Sequence, residues 1–257
     1  MKSYDWIRPD WPVPPVVRAL ITTRAGGTST GAYGAPDRDG MNLGLGSGDD
    51  VTVVAANRAR LRRSLPSEPR WLRQVHGSRV VDAADADGSV EADAAVTDQA
   101  GKVAVVMVAD CMPVLLADDR GRCVGVAHAG WRGLAAGILQ ATVGMMRQRL
   151  RDPGARLIAY LGPAIGPDHF EVGADVLQAM TSGLPGAAAA FVPAGAGKYH
   201  ADLFALGRMA LAAVGVDAVF GGGVCTYCDP QRFYSHRRDR VTGRHAALIW
   251  IERQHAV

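Results

Sequence analysis

At 257 residues the chain is long enough to bury a substantial core, and its 28 basic against 25 acidic residues leave a net charge of +3, too small to require a polyanionic partner. Nucleic acid is therefore not implied. Four cysteines are too few for a disulfide scaffold, and residues 1–15 are polar and proline-rich without the apolar centre of a secretory leader, so a reducing, cytoplasmic setting is expected.

The first strand signal is the apolar run at residues 19–22, followed by a glycine-rich stretch at 26–48 that carries Asn42 and reads as a substrate loop. A helical pattern occupies 51–65. Apolar runs at 102–109 and 122–127 predict two further strands, and a second helix is expected over 134–150, after Gly133. Residues 157–161 read as a strand, 175–181 as a helix, 183–197 as a plain surface connection, and 202–214 as a helix closed by Gly215. The last strand is expected at 246–251. Several of these runs are apolar on consecutive positions, which suits sheets covered on both faces and an α/β class. No linker divides the chain and no run reaches the roughly 18 apolar residues of a membrane span, so residues 1–257 are read as one domain with no membrane or protein partner implied.

Three residues could form a site. Cys111 follows the run at 103–109 in Ala-Asp-Cys-Met-Pro, and His128 follows 123–127 in Val-Ala-His-Ala-Gly-Trp-Arg-Gly. Both are expected where strands end, and if the two strands are neighbours the side chains share one crevice. His76, in Gln-Val-His-Gly, is the third candidate. Two imidazoles and a thiolate suit Zn²⁺, and three protein ligands leave a fourth tetrahedral position for water or substrate. A water there would have its pKa lowered to roughly 7. Asp110 is expected to orient a ligating histidine. The bland alternative is that Cys111 is a small core residue and the histidines mark turns. Cys225 and Cys228 form one Cys-x-x-Cys pair without the second pair of a structural zinc, and are read as structural. His169, His200, His236, His245 and His255 lack ligand spacing; His236 alone sits in a polar string beside aromatics.

Taken together, Gln-Val-His-Gly (74–77), Ala-Asp-Cys-Met-Pro (109–113) and Ala-His-Ala-Gly-Trp-Arg-Gly (127–133) resemble one known family. It is the bacterial polyphenol oxidase or laccase-domain family, also called YfiH-type purine nucleoside phosphorylase and peptidoglycan editing factor. Met-Asn-Leu-Gly (41–44), Gly-Asp-Asp (48–50), Asn-Arg (57–58), Leu-Gly-Pro-Ala-Ile-Gly (161–166) and Phe-Tyr-Ser-His-Arg-Arg-Asp with Thr-Gly-Arg extend the likeness along nearly the whole chain. The resemblance implies an α/β (α+β) fold with mixed sheets layered between helices, similar to the catalytic domain of cytotoxic necrotizing factor. It also implies that His76, Cys111 and His128 bind the catalytic metal. Two departures stand out: residues 33–40 are longer than the usual run before Asn-Leu-Gly, and His236 stands where many members have tyrosine.

The family name suggests a multicopper oxidase, but that mechanism needs about ten histidines and this chain has seven. Copper remains the alternative occupant of the zinc site, because Cu²⁺ binds N/S donors more tightly than Zn²⁺. The resemblance implies instead phosphorolysis of adenosine, inosine, guanosine or methylthioadenosine, and deamination of adenosine, with purine nucleoside and phosphate as small-molecule partners. Asp110 would move protons in deamination. Arg132, Arg237 and Arg244, with Arg24 as an outside choice, are candidates for phosphate, since guanidinium pairs two oxygens at once; surface solvation is the competing reading for each. Asn42 and Gln74 are candidates for reading purine or ribose edges. A rival reading makes Cys111 the nucleophile of a cysteine hydrolase editing a peptidoglycan precursor, with His128 as base. A third treats the chain as a binding module with a closed zinc site.

Overall fold

The computed structural model describes residues 5–253, so His255 and the first four residues of the N-terminal stretch lie outside it. Two sheets stack face to face at its centre. One holds six strands in the order Ala218–Gly221, Leu157–Leu161, Met112–Asp118, Val124–Ala129, Ala94–Thr97 and Val80–Asp82, with parallel pairs at its two ends and antiparallel pairs between. The other holds Val17–Ile21, His245–Ile251, Val103–Val108 and Pro69–Arg70. A small antiparallel sheet of Glu171–Gly173, Lys198–Ala201 and Phe191–Gly195 completes the strands.

Alternation along the strands explains the layering. Ala247, Ile249 and Ile251 meet Leu115, Ala117, Val124 and Val126 in a core between the two sheets. The residues between them, Ala246, Leu248 and Trp250, face the other way onto Leu61 of the helix Val51–Arg62 and onto Met41 and Leu43. On the far side of the six-stranded sheet, Val114, Leu116, Ala127 and Ala129 pack against the helices Ile138–Leu150, Ala174–Gly183 and Leu203–Ala212. Both large sheets are thus covered on both faces, as consecutive apolar positions require. The fold is mixed α/β, with its sheets layered between helices as expected.

The expected elements fall close to the observed ones, and the differences have local causes. The helix expected over 134–150 is two, Trp131–Ala135 and Ile138–Leu150, because Gly137 adopts φ 82° between them. Asp202 caps the helix Leu203–Ala212 by accepting from the N–H of Phe204 and Ala205. Residues 183–197, expected to be irregular, contain the strand Phe191–Gly195, and 26–48 includes residues of the strand Ala25–Ser29. The strand Met112–Asp118, with Pro113 near its start, was not among the expected strands.

That missed strand corrects the expected route to the site. The strand Val103–Val108 lies in the four-stranded sheet and is not a sheet neighbour of Val124–Ala129. Cys111 reaches His128 because it immediately precedes Met112–Asp118, whose Pro113 is registered with His128. His128 lies within its strand, not beyond the end of it. No helix among the described residues is long and apolar enough to cross a membrane.

Candidate metal centre

Between the two sheets the chain turns sharply at Asp110, which takes φ 82°, a left-handed conformation unusual for a residue with a Cβ. Its carboxylate holds the turn: Oδ1 accepts from Thr226 Oγ1 at 2.7 Å and Oδ2 from the N–H of Arg237 at 2.7 Å, while its carbonyl accepts from Ile165 N at 2.9 Å. The turn presents Cys111 toward His128. His76 arrives from a loop on the other side and is itself at φ 61°.

These three side chains converge, with their candidate donor atoms all within 4.8 Å of one another. The two imidazole rings stand edge to face at 4.7 Å. His76 is exposed, Cys111 half-buried and His128 buried. Close approach depends on Gly130, since a Cβ there would lie 2.8 Å from Cys111 Sγ and 3.5 Å from the His76 ring. Asp93 binds the cluster from beneath. Its buried carboxylate accepts from the N–H groups of Val75 at 3.1 Å, His76 at 2.9 Å and Gly77 at 2.7 Å, and from His128 Nδ1 at 2.8 Å. One carboxylate therefore stabilises the strained His76 loop and orients the His128 ring, leaving Nε2 to face the cluster.

Electrostatics follow from that geometry. Burial alone would raise the Cys111 thiol, but the imidazoles of His128 and His76 outweigh it and bring it down to about 6. Burial would lower His128, yet the Cys111 thiolate and Asp93 hold it at about 9. Asp93 stays below the usual carboxylate range: burial works against it, and the His128 ring and the Gly77 and Val75 N–H groups prevail. The donor set suits a divalent ion such as zinc. A tetrahedral ion needs its ligand atoms roughly 3.5 Å apart, so a small contraction would seat one, and the thiol already favours its anionic, ligating form.

The cluster lines a pocket of about 600 Å³ together with Met107, Trp71 and Arg58. Burial pulls Arg58 down to about 10 against the attraction of Glu68; its guanidinium stacks on Trp71 at 3.8 Å and its Nε donates to Leu43 O at 2.9 Å. Arg244 lines the same pocket, with burial lowering its pKa and Nη1 donating to the carbonyls of Thr242 and Gly243. Among the described residues neither arginine is paired with a carboxylate.

The other expected site residues divide. Asp110 and Gln74 line the pocket, but Gln74 is tied to the backbone of Met107 through both ends of its amide, at 2.7 and 2.8 Å. Asp110 does not orient a histidine as expected; Asp93 does, because the fold carries it beneath His128 whereas Asp110 is spent on its own turn. Asn42 does not line the pocket: its Oδ1 accepts from Gly44 N and Arg244 N, and its Nδ2 donates to Ser47 and Asp49, so its amide is engaged within the protein. Arg132 lines the pocket but is exposed, with its guanidinium 4.4 Å from the ring of its neighbour Trp131. Arg237 also lines it, with Nη1 donating to Glu171 O at 2.9 Å. Arg24 belongs elsewhere: it is buried against Gly34 O, Pro230 O and Asp239.

Sequence reasoning missed Asp93, Arg58 and Trp71. The available signal for Asp93 was an acidic residue placed directly before the apolar strand Ala94–Thr97. Arg58 lies beside the buried stripe Val54, Asn57 and Leu61 of its helix, a place where solvent is not the default neighbour. The remaining histidines of the described residues are dispersed. His245 is buried between Tyr234 N and Val108 O, His200 bonds Pro167 O, and His169 stacks on Tyr227 at 4.1 Å. A single His/Cys cluster is thus assembled among the described residues, which does not fit a four-copper set.

Residues 18–252 match the family model described as multi-copper polyphenol oxidoreductase laccase. The chain is similar to a purine nucleoside phosphorylase of Pseudomonas aeruginosa, with 48% identity over 96% of this chain and 98% of that one. It is also similar to the purine nucleoside phosphorylase YfiH of Escherichia coli, with 45% identity over 95% and 98% of the two chains. Among solved structures, a Neisseria meningitidis protein of the DUF152 family superposes with a TM-score of 0.89 at 45% identity, covering 97% of this chain and 100% of that one. YlmD from Geobacillus stearothermophilus gives 0.89 at 32% identity, covering 98% of each.

Proposed function

The chain belongs to the multi-copper polyphenol oxidoreductase laccase family, and from that premise we propose that it is a zinc-dependent purine nucleoside enzyme, acting by phosphorolysis of adenosine, inosine, guanosine or methylthioadenosine and by deamination of adenosine to inosine. The observation that carries this reading is the meeting of His76, Cys111 and His128 in one pocket with Arg58 and Arg244, neither of which is paired with a carboxylate among the described residues. Those three residues would hold the ion. When bound, it supplies a Lewis acid and a water activated near neutral pH.

The protein's own groups do the rest. Asp93 keeps the His128 ring in the tautomer that leaves Nε2 unprotonated, and clamps the backbone of His76. Asp110, buried beside Cys111, is our candidate for moving the proton to the departing ammonia in deamination, a role that requires one of its two hydrogen bonds, from Thr226 Oγ1 or from the N–H of Arg237, to open. Phosphorolysis requires an anion to be positioned against the ribose, and Arg58 and Arg244 serve this better than the exposed Arg132, because partial burial makes an uncompensated cation seek an anionic ligand. Trp71, stacked against Arg58, restricts that guanidinium and leaves an apolar wall for a purine ring or ribose face. No charge-neutralising partner has to be displaced before phosphate binds.

The test is to incubate metal-defined protein with adenosine, with and without phosphate, and to identify the products. Inosine without phosphate, and adenine with ribose 1-phosphate in its presence, are expected. Neither product set forming from metal-loaded protein would overturn the assignment.

A second reading has one observation in its favour. The Cys111 thiol is brought to about 6 beside a His128 held at about 9, the ion pair of an activated cysteine nucleophile. In that reading the chain cleaves amide or ester bonds in a cell-wall precursor. Chelation separates the two, since it should abolish nucleoside turnover but preserve or enhance thiol chemistry.

A further inference from the structure

A second cleft is lined by Gly166, His169, Cys225 and Cys228 among others, and the proposed chemistry does not use it. Cys225 and Cys228 bracket a turn whose tip is Thr226 and Tyr227. Cys228 is exposed and Cys225 partly so. Cys225 Sγ accepts from the backbone N–H of Gly166 at 3.3 Å and of Cys228 at 3.4 Å, which hold this sulfur beside Cys228. The Cys228 thiol is raised to about 11, first by its hydrogen bond to Cys225 and then by burial and the Cys225 charge. Thus the two sulfurs are in contact, Cys225 held by backbone donors and Cys228 kept protonated beside it.

The turn is also wired to the pocket. Thr226 Oγ1 donates to Asp110 Oδ1 at 2.7 Å, and Asp110 directly precedes Cys111. Thr226 N donates to Ala164 O at 2.9 Å, and Arg238 Nη1 bridges the carbonyls of Thr226 and Tyr227 at 2.8 Å each.

We propose that Cys225 and Cys228 are a reversible redox pair that closes to an intramolecular disulfide by exchange with a low-molecular-weight disulfide, and that closure draws Thr226 away from Asp110. In the first step the Cys225 thiolate attacks one sulfur of the small disulfide, forming a mixed disulfide and releasing one small thiolate, which takes up a proton. The charge on Cys225 that held Cys228 protonated is then gone, so Cys228 loses its proton and attacks the Cys225 sulfur. A second small thiol leaves. Two electrons pass from the protein dithiol to the small disulfide, and the two protein thiol protons end on two small thiols. An S–S bond of about 2.05 Å is far shorter than a thiol–thiol hydrogen bond, so the two cysteines draw together on closure, and in the proposal Thr226, one of the two residues between them, shifts with the turn.

The experiment is equilibration of the metal-loaded protein in buffers of graded reduced to oxidised glutathione, followed by alkylation and peptide mass mapping. A peptide pair joined through Cys225 and Cys228, lighter by two hydrogen atoms and reversed by dithiothreitol, is expected. In Cys228→Ser, whose altered side chain is exposed, glutathione should instead stay attached to Cys225. Absence of the internal disulfide at the most oxidising ratio, or oxidation confined to Cys111, overturns the pair. This readout does not depend on the proposed nucleoside activity. For the coupling, which does rest on that activity, kcat/KM for adenosine should fall by about tenfold with the same midpoint as the disulfide, the scale of one hydrogen bond to a charged group. The Cys225→Ser, Cys228→Ser double variant should stay flat across the series. A disulfide that forms while turnover is unchanged overturns the link through Thr226.

Discussion

Replacing Asp93 by asparagine is the sharpest perturbation of the centre, because it removes a charge and one acceptor face while keeping the shape. The carboxylate accepts four hydrogen bonds, Oδ1 from His76 N and His128 Nδ1, and Oδ2 from Val75 N and Gly77 N. An asparagine must turn its NH₂ toward one of these pairs. Facing Val75 and Gly77, it leaves two partly buried backbone donors unsatisfied, at about 1–3 kcal/mol each, so a loss of roughly 2–6 kcal/mol is expected. Facing His128, it forces the ring to carry its proton on Nε2 and removes that nitrogen as a ligand. Either orientation should also weaken metal binding by about 10–100-fold. Urea unfolding of the metal-free protein measures the first effect, and competition with a chromophoric chelator the second. If Asp93→Asn unfolds within about 0.5 kcal/mol of the wild type, on the scale of an innocuous surface change, and keeps its metal affinity within a factor of two, the role given to this carboxylate is wrong.

Arg58→Met should raise KM for phosphate in phosphorolysis by about 10–100-fold, the scale of a charge-assisted hydrogen bond, while phosphate-free deamination changes little; equal loss of both activities in steady-state kinetics would refute the division of labour. Gly130→Ala puts a methyl 2.8 Å from Cys111 Sγ, so metal content by elemental analysis should fall even where circular dichroism reports an intact fold. Cys111→Ser should abolish metal binding and nucleoside turnover together; full turnover in a folded, metal-free Cys111→Ser protein would defeat the mechanism. For pH, burial lowers His245 from 6.5 to about 3, and its neutral ring is matched by donation to Val108 O and acceptance from Tyr234 N. The depressed value means that its contribution is complete above pH about 6.5 and is lost as the pH falls toward 3, at up to about 1.4 kcal/mol per pH unit. Urea midpoints between pH 7 and 4 should therefore fall more steeply for the wild type than for His245→Asn, and parallel slopes would contradict this.

Element type was written locally. The run Leu157–Leu161 is a strand with the bounds its apolar residues indicate, and Asp202 caps the helix that its side chain predicts, because hydrophobic period and capping chemistry act over a few residues. His76, Cys111 and His128 were candidates from their strings, the resemblance made them a ligand set, and the structure brings the three together. What partners those residues was not open to local reading. Asp93 stands 35 positions before His128, and Arg58 is 49 before Met107; nothing short-range links them. Cys111 faces His128 through the pairing of Val124–Ala129 with Met112–Asp118, a strand that was not among those expected. Local chemistry thus determined what each segment could become, whereas the choice of carboxylate under the histidines and of arginines along the pocket waited on long-range packing, since burial and hydrogen-bond partners exist only once distant segments have met.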